Sequence, residues 1–275
     1  KEGLRSISKK IHSLTAALSE GLTQLGFHQL NDVYFDTLKI NIGNVSLQNI
    51  KTYSEDAKIN FNYIDNKTLS ISIDEKDDLG NINDILEVFA KSCNHSDSAD
   101  LIHEVLTGDY SQAIARIPEE LYRRTSFMQH AVFNKYHSET QMMRYIKRLE
   151  NKDLSLTHSM IPLGSCTMKL NAASELFPLS WSEFGNLHPF APLNQARGYH
   201  IIFHELEEML CEITGFEAMS LQPNSGAQGE FAGLMVIRAY HASKGQENRN
   251  ICLIPASAHG TNPASAVMAG MKVVV

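Results

Sequence analysis

The residues most suited to chemistry form one stretch, Gln222-Pro-Asn-Ser-Gly-Ala-Gln-Gly-Glu230. The apolar run 218–221 before it predicts a buried strand, and 231–242 after it predicts a helix. The first N–H groups of a helix lack intrahelical partners and carry the positive end of its dipole, so this turn could bind a phosphate. Ser225 adds a hydroxyl, and Gly226 allows an anion close to the backbone. An ordinary strand-to-helix turn, with Ser and Gly needed only for geometry, remains equally open.

A second polar turn, Ser257-Ala-His-Gly-Thr-Asn-Pro263, follows the apolar strand predicted at 250–255. Pro263 suits the first turn of a helix over 264–270, and 271–275 predicts a third strand. The order is βαβαβ, which favours a parallel sheet with ligands beyond the carboxyl ends of its strands. We therefore expect both turns to face one ligand site.

Two common phosphate-binding motifs are absent from these turns, and their absence narrows the class of ligand. There is no GxxxxGK[ST] pattern, and Gly226-x-x-Gly229 fails the GxGxxG pattern of dinucleotide sites. A single phosphate joined to a flat ring fits better, because the helix N-terminus could take the phosphate and the imidazole of His259 could stack on the ring. Pyridoxal 5'-phosphate has that chemistry.

Three other groups of residues could be reactive. Cys166 could act as a nucleophile with a histidine as its base, although a structural thiol is the simpler interpretation. Lys169 could form a covalent bond to a cofactor, although a surface or anion-pairing lysine is simpler. His200 and His204 have the i, i+4 spacing of a zinc site, but the glutamate of HExxH is missing, so we expect no metal.

Composition and charge restrict the class of protein. The chain has 275 residues, 43% hydrophobic and 20% charged, as in a globular protein with one or two domains. The net charge of −7 argues against nucleic acid and anionic membranes as partners, and no apolar run of about 20 residues predicts a membrane helix. The cysteines show no CxxC pair, which favours reduced thiols. Because Lys1 is not an initiator methionine and 271–275 resembles a strand cut midway, we expect an internal fragment.

Hydrophobic periodicity predicts the remaining elements. An amphipathic helix is expected over 4–25 and another over 83–92, and the first two histidines, His12 and His28, are expected at the surface. β-forming residues predict strands at 33–42, 58–64 and 68–73, the last two joined by a hairpin at Asp65–Lys67. Ser138-Glu-Thr-Gln141 predicts a capped helix, and 199–215 predicts a long helix closed by Gly215.

These elements divide the chain into three parts. We expect a small α+β unit over about 1–95, a helical connector after it, and a larger α/β domain that begins at Ser155.

Four motifs together resemble the P-protein family of the glycine cleavage system. They are Gly164–Asn171, His188–Pro192, Gln222–Glu230 and Ser257–Ser265, and the resemblance is densest from Arg124 to Val275. It implies a pyridoxal-phosphate-dependent transferase of the aspartate aminotransferase type (fold type I) with two homologous halves. Residues 1–110 would be the small α+β domain that closes the first half, 111–154 the helical connector, and 155–275 the partial large domain of the second half.

The resemblance also implies roles for individual residues. Ser225, Gly226 and Ala227 would bind the cofactor phosphate, His259 would stack on the pyridine ring, and Thr261 would lie beside it. Catalytic roles would fall to His259, Cys166 and Asn262. The glycine site would include Ser165, Thr167, Lys169 and Asn171.

The implied activity is that of a glycine dehydrogenase, an oxidoreductase that uses pyridoxal phosphate to decarboxylate glycine. It passes the aminomethyl group to the lipoyl arm of the H-protein, and the full-length chain is expected to be a homodimer. The cofactor-binding lysine of the family would lie beyond Val275, so this chain alone is expected to be inactive. We expect a bacterial cytoplasmic protein, or a mitochondrial matrix protein if the source is eukaryotic.

Two other classes stay open. One is a cysteine-dependent acyl transferase that uses Cys166 and a histidine and would lose activity on Cys166→Ala without needing pyridoxal phosphate. The other is a non-catalytic half that only supports a partner.

Overall fold

The computed structural model describes residues 1–95, 98–110, 117–154 and 172–275 as a mixed α/β protein. The chain divides into two compact units, Lys1–Asn171 and Ala172–Val275.

The first unit combines helices with a small antiparallel sheet. Its elements in chain order are α1 (Glu2–Gln24), β1 (His28–Gln29), β2 (Thr37–Asn41), α2 (Leu47–Asp56), β3 (Asn62–Tyr63), β4 (Thr68–Ser72), α3 (Leu79–Ser92), α4 (Ser98–Thr107) and α5 (Glu139–Glu150). The helices predicted at 4–25 and 83–92 are confirmed, while the strands predicted at 33–42 and 58–64 are shorter than expected. Helix α2 was not predicted.

The sheet has the order β1-β2-β4-β3, and every pair is antiparallel. Residues of β2 alternate between buried and more exposed, with Leu38 and Ile40 completely buried. Such alternation is expected when one face of a sheet packs on a core and the other faces water. The predicted hairpin is also confirmed, because Asp65–Lys67 connects β3 to its antiparallel partner β4.

The core of the first unit lies where the helices pack with the buried face of the sheet. Phe89 of α3 is completely buried and meets Phe27 edge-on, with ring centroids 4.8 Å apart. Gly21 of α1 allows the two helices to approach, because a Cβ there would lie 2.7 Å from the Leu86 side chain. Removing such a buried ring costs about 3–5 kcal/mol in other proteins, so we expect a similar loss of stability if Phe89 is truncated.

His12 is not a surface residue, so that prediction is wrong. It is 2% exposed, its Nδ1 lies 2.8 Å from the carbonyl oxygen of Phe35, and its ring stacks on that of Phe35 at 5.6 Å. The histidine is polar, but a backbone partner and an aromatic neighbour make its burial favourable. His28, in β1, is exposed as predicted.

Capping motifs start two helices of this unit. Asp78 and Asn81 form a reciprocal capping box at the start of α3. The capping box predicted at Ser138 is confirmed, with Gln141 as its partner at the start of α5. Two large apolar side chains of α5, Met142 and Ile146, are 43% and 53% exposed.

The second unit is built from helices and one parallel strand pair. Its elements are α6 (Ser182–Gly185), α7 (Arg197–Thr214), α8 (Gly226–Ser243), β5 (Ile251–Leu253), α9 (Thr261–Met268) and β6 (Lys272–Val274), with short 3₁₀ turns at Ala173–Ser180 and Leu193–Gln195. The long helix is confirmed, and Gly215 closes it at a φ of 74°, which favours glycine.

The two strands of the second unit are parallel, and α9 lies between them in sequence. Ile251 pairs with Lys272 and Leu253 with Val274, so the last four elements of the predicted βαβαβ order are confirmed. The first predicted strand, 218–221, is wrong. None of its residues is buried, and within the described parts of the chain no segment pairs with it. A β-strand requires a hydrogen-bonded partner strand, and here β5 and β6 pair with each other and not with 218–221.

Among the described residues, no helix has the length and apolar character needed to cross a membrane.

Candidate functional site

The start of α8 has the geometry of a capped helix N-terminus. Ser225 is the N-cap residue, with an extended backbone, and its Oγ accepts a hydrogen bond from the N–H of Gln228 at 3.3 Å. The first intrahelical bond runs from the N–H of Gly229 to the carbonyl of Ser225. The N–H groups of Gly226 and Ala227 precede that bond, so they are the donors that this helix end can offer to an anion.

Gln228 adds two hydrogen bonds to this turn that were not predicted. Its Oε1 accepts from the N–H of Asn224 at 2.8 Å, which makes a variant of the capping box with Ser225. The Ser-x-x-Gln spacing was a usable signal for it. A Cβ on Gly226 would meet no atom within 4 Å, so the space above the first turn is open.

His259 lies just before α9, and Thr261 fixes its ring. The Nδ1 atom of His259 accepts the backbone N–H of Thr261 at 3.2 Å and lies 2.9 Å from its Oγ1. Because a backbone N–H can only donate, Nδ1 is the acceptor and the proton of the neutral ring lies on Nε2. The side chain is exposed, so its orientation is set by these two bonds rather than by packing.

One hydrogen bond joins the beginnings of the two helices. Nδ2 of Asn262, in the first turn of α9, donates to Oε1 of Glu230, in the second turn of α8, at 3.2 Å. The structure therefore brings α8 and α9 together near their N-termini. Glu230 closes the Gln222–Glu230 motif, but no role was predicted for it, and no local pattern indicates its pairing with Asn262.

A cavity of about 470 Å³ lies beside this contact. Its walls include Gly229 and Glu230 of α8, Cys252 of β5, and Ala258 and Asn262. Ser225 and His259 are not part of its lining, so the cavity and the two helix ends are neighbouring features rather than one enclosed pocket. A larger cavity of about 680 Å³ lies within the first unit, and the described residues that line it are mainly aromatic and aliphatic.

Several predicted site residues lie outside the described residues. They are Ser165, Cys166, Thr167, Lys169 and Asn171. In the parts of the chain that are described, no group of three or more His, Cys, Asp and Glu side chains could hold a metal ion. His204 instead faces Glu208 one turn later on α7, with Nε2 3.3 Å from Oε1.

Comparison with known proteins gives the same family along the whole chain. The family model described as "Glycine cleavage system P-protein" matches residues 1–89, so the resemblance is not confined to the later motifs. A glycine dehydrogenase (decarboxylating) from Christiangramia forsetii is 55% identical over 276 residues, which cover 100% of this chain and 28% of that protein.

Two further relatives carry the same name. One from Nostoc sp. is 52% identical over 274 residues, covering 99% of this chain and 28% of that protein. The human mitochondrial one is 52% identical over 272 residues, covering 98% of this chain and 26% of that protein. The chain thus spans about a quarter of the length of these curated relatives. From end to end it is homologous to them, and it belongs to the glycine cleavage system P-protein family.

Proposed function

We propose that this chain supplies the phosphate-binding and ring-binding part of a pyridoxal phosphate site in a glycine dehydrogenase (decarboxylating). The observation that carries the proposal is the Asn262–Glu230 hydrogen bond, which holds the N-terminal turns of α8 and α9 against each other. The two turns carry complementary groups, anion donors on α8 and an oriented imidazole before α9. The activity given in the names of these relatives, at 52–55% identity, supports the same reaction.

The residues at the start of α8 fit a phosphate group. Gly226 and Ala227 offer backbone N–H groups at the positive end of an 18-residue helix. The Oγ of Ser225 is used as an acceptor by the helix, and its own proton is then free to be donated to a phosphate oxygen. The open space at Gly226 leaves room for the anion.

His259, Thr261 and Asn262 fit the ring. The imidazole is flat, exposed and oriented by Thr261, so one of its faces can stack on an aromatic ring. Asn262 would lie at the ring edge, where its amide can contact polar substituents. Pyridoxal phosphate itself supplies the electron sink that permits loss of CO2 from an amino acid. The task of this chain's residues is to hold its phosphate and ring still.

The proposal also covers the substrate, the acceptor of the aminomethyl group and the domain arrangement. Glycine would be the substrate, with the loop of Ser165, Cys166, Thr167, Lys169 and Asn171 beside it, and the lipoyl arm of the H-protein would receive the aminomethyl group. The fold would be a partial fold type I transferase domain, divided at 1–110, 111–154 and 155–275, within a dimer of the full-length chain.

The test uses cofactor binding by the full-length protein. Ser225→Ala should weaken pyridoxal phosphate binding by about tenfold, and Gly226→Val should weaken it more, since its side chain occupies the space for the anion. Binding is measured by absorbance titration, and inorganic phosphate should compete. Ser243→Ala, at the opposite end of α8, is the matched control and should leave the affinity unchanged. Unchanged affinity in both Ser225 and Gly226 variants would remove this helix end from the site.

A further inference from the structure

The Glu230–Asn262 contact has a second property besides joining two helices. The other carboxylate oxygen of Glu230, Oε2, is buried and has no hydrogen-bond partner among the described residues. Both side chains border the 470 Å³ cavity. A buried acceptor without a partner lowers the stability of the folded protein. An apolar side chain of similar size would fill the same place without that loss, so stability alone does not account for a glutamate here.

The chemistry of the two side chains is asymmetric. An ionised carboxylate only accepts hydrogen bonds, whereas an amide has one end that donates and one that accepts. Glu230 therefore selects the amide orientation in which Nδ2 of Asn262 faces it, and Oδ1 is directed elsewhere. Without Glu230 the two amide orientations would be closer in energy, and the side chain could present either end to a ligand.

We propose that Glu230 is a positioning residue of the cofactor site, acting through Asn262 to set which end of its amide meets the ring. This inference rests on the proposed function, since Asn262 matters only if the ring binds beside it. It also explains why the link lies between α8 and α9: one contact fixes the phosphate-binding turn relative to the ring-binding turn.

The experiment is a double-mutant cycle in the full-length protein, measured by pyridoxal phosphate titration and by visible circular dichroism of the bound cofactor. Glu230→Ala should weaken binding by about tenfold and change the dichroism of the cofactor at saturation. Glu230→Gln still offers an acceptor to Asn262, so it should stay within about threefold of wild type. Adding Glu230→Ala to Asn262→Ala should have little further effect.

Two controls separate positioning from stability. Glu247→Ala removes an exposed glutamate in the loop after α8 and should change neither affinity nor dichroism. Asn262→Asp places a second carboxylate against Glu230 and should weaken pyridoxal phosphate binding. It therefore still tests the contact if Glu230→Ala folds poorly. Thermal unfolding of each variant checks the fold, and a purely structural role would lower the melting temperature without changing the dichroism of bound cofactor.

The outcomes distinguish this inference from the proposed function. If wild-type protein binds pyridoxal phosphate but the effects of Glu230→Ala and Asn262→Ala simply add, the positioning role is overturned and the cofactor site stands. Equal binding by Glu230→Ala and Glu247→Ala leads to the same conclusion. A wild-type protein that binds no pyridoxal phosphate overturns both.

Discussion

Arg238 of α8 holds the end of α9 through Gly270. Its Nη1 donates to the carbonyl oxygen of Gly270 at 2.6 Å and to that of Ala269 at 3.0 Å. These carbonyls follow the last turn of α9, where a helix has no intrahelical donors left and carries the negative end of its dipole. Gly270 has a φ of 74°, and a Cβ there would run into the same guanidinium nitrogen. α8 therefore contacts α9 near both of its ends.

This arrangement predicts that Arg238→Met and Gly270→Ala both loosen α9 and β6. The arginine variant should lose about 1–3 kcal/mol of local stability, because it removes a charged donor from two carbonyls. The alanine variant should lose about 1 kcal/mol or more through backbone strain. Faster amide hydrogen exchange over 264–275 is the measurement. Arg249→Met, which alters an exposed arginine in the loop before β5, is the control, and exchange as slow as in that control would contradict the prediction.

The burial of His12 gives a second prediction. His12→Ala should destabilise the first unit by about 2–4 kcal/mol, since it empties a buried site and leaves the Phe35 carbonyl without this contact. His12→Phe should cost less, because it keeps the ring stacking on Phe35 while it loses the hydrogen bond to the Phe35 carbonyl. His28→Ala, at an exposed position in β1, should change stability by less than about 0.5 kcal/mol. Chemical denaturation is the measurement, and equal effects at His12 and His28 would show that the buried environment contributes nothing.

Asp65 makes the hairpin sensitive to acid. The N–H of Lys67 donates to its Oδ1 at 2.8 Å, and this bond lowers the pKa of the carboxyl below its usual 3.8. A lowered folded-state pKa means that the stabilisation is complete above the unfolded-state pKa and is lost as pH falls through the folded-state value. Asp65→Asn keeps an acceptor that does not titrate, so the advantage of wild type over it should shrink between about pH 6 and about pH 2. Amide exchange in β3 and β4 measures this, and a constant difference across that range would refute it.

The parts of the fold that could be predicted from sequence are those with local signals. The capping box at Ser138, the glycine stop at Gly215 and the Asp65 hairpin each depend on a few neighbouring residues, and the structure has all three. The prediction of a strand at 218–221 was wrong because an apolar run does not specify which segment will pair with it. The prediction that His12 lies at the surface was wrong because its burial depends on Phe35, which lies 23 residues away in the sequence.

The candidate site was likewise predictable only where its signals are local in sequence. The two turns were predictable, since each follows an apolar run and opens a helix. The bond between Glu230 and Asn262 was not, because it joins residues 32 positions apart and depends on how α8 packs against α9. The Thr261 contact that orients His259 is short in sequence, and the His-x-Thr spacing could have suggested it.

The role of His259 can be divided into stacking and hydrogen bonding. His259→Ala removes the ring and should weaken pyridoxal phosphate binding in the full-length protein. His259→Phe keeps a flat face and should retain about 0.5–1.5 kcal/mol of the binding free energy that alanine loses, equal to about two- to tenfold in affinity. Absorbance titration of the cofactor measures both variants.

Thr261→Val adds an independent measure of orientation. It removes the hydroxyl next to Nδ1 and keeps the backbone donor, so the imidazole retains one of its two restraints. If orientation matters, this variant should bind the cofactor more weakly than wild type and more tightly than His259→Ala. His204→Ala and His204→Phe, on the exposed surface of α7, are the matched controls and should leave binding unchanged. Equal losses in His259→Ala and His259→Phe would mean that the ring contributes through a hydrogen bond from Nε2 instead of through its face.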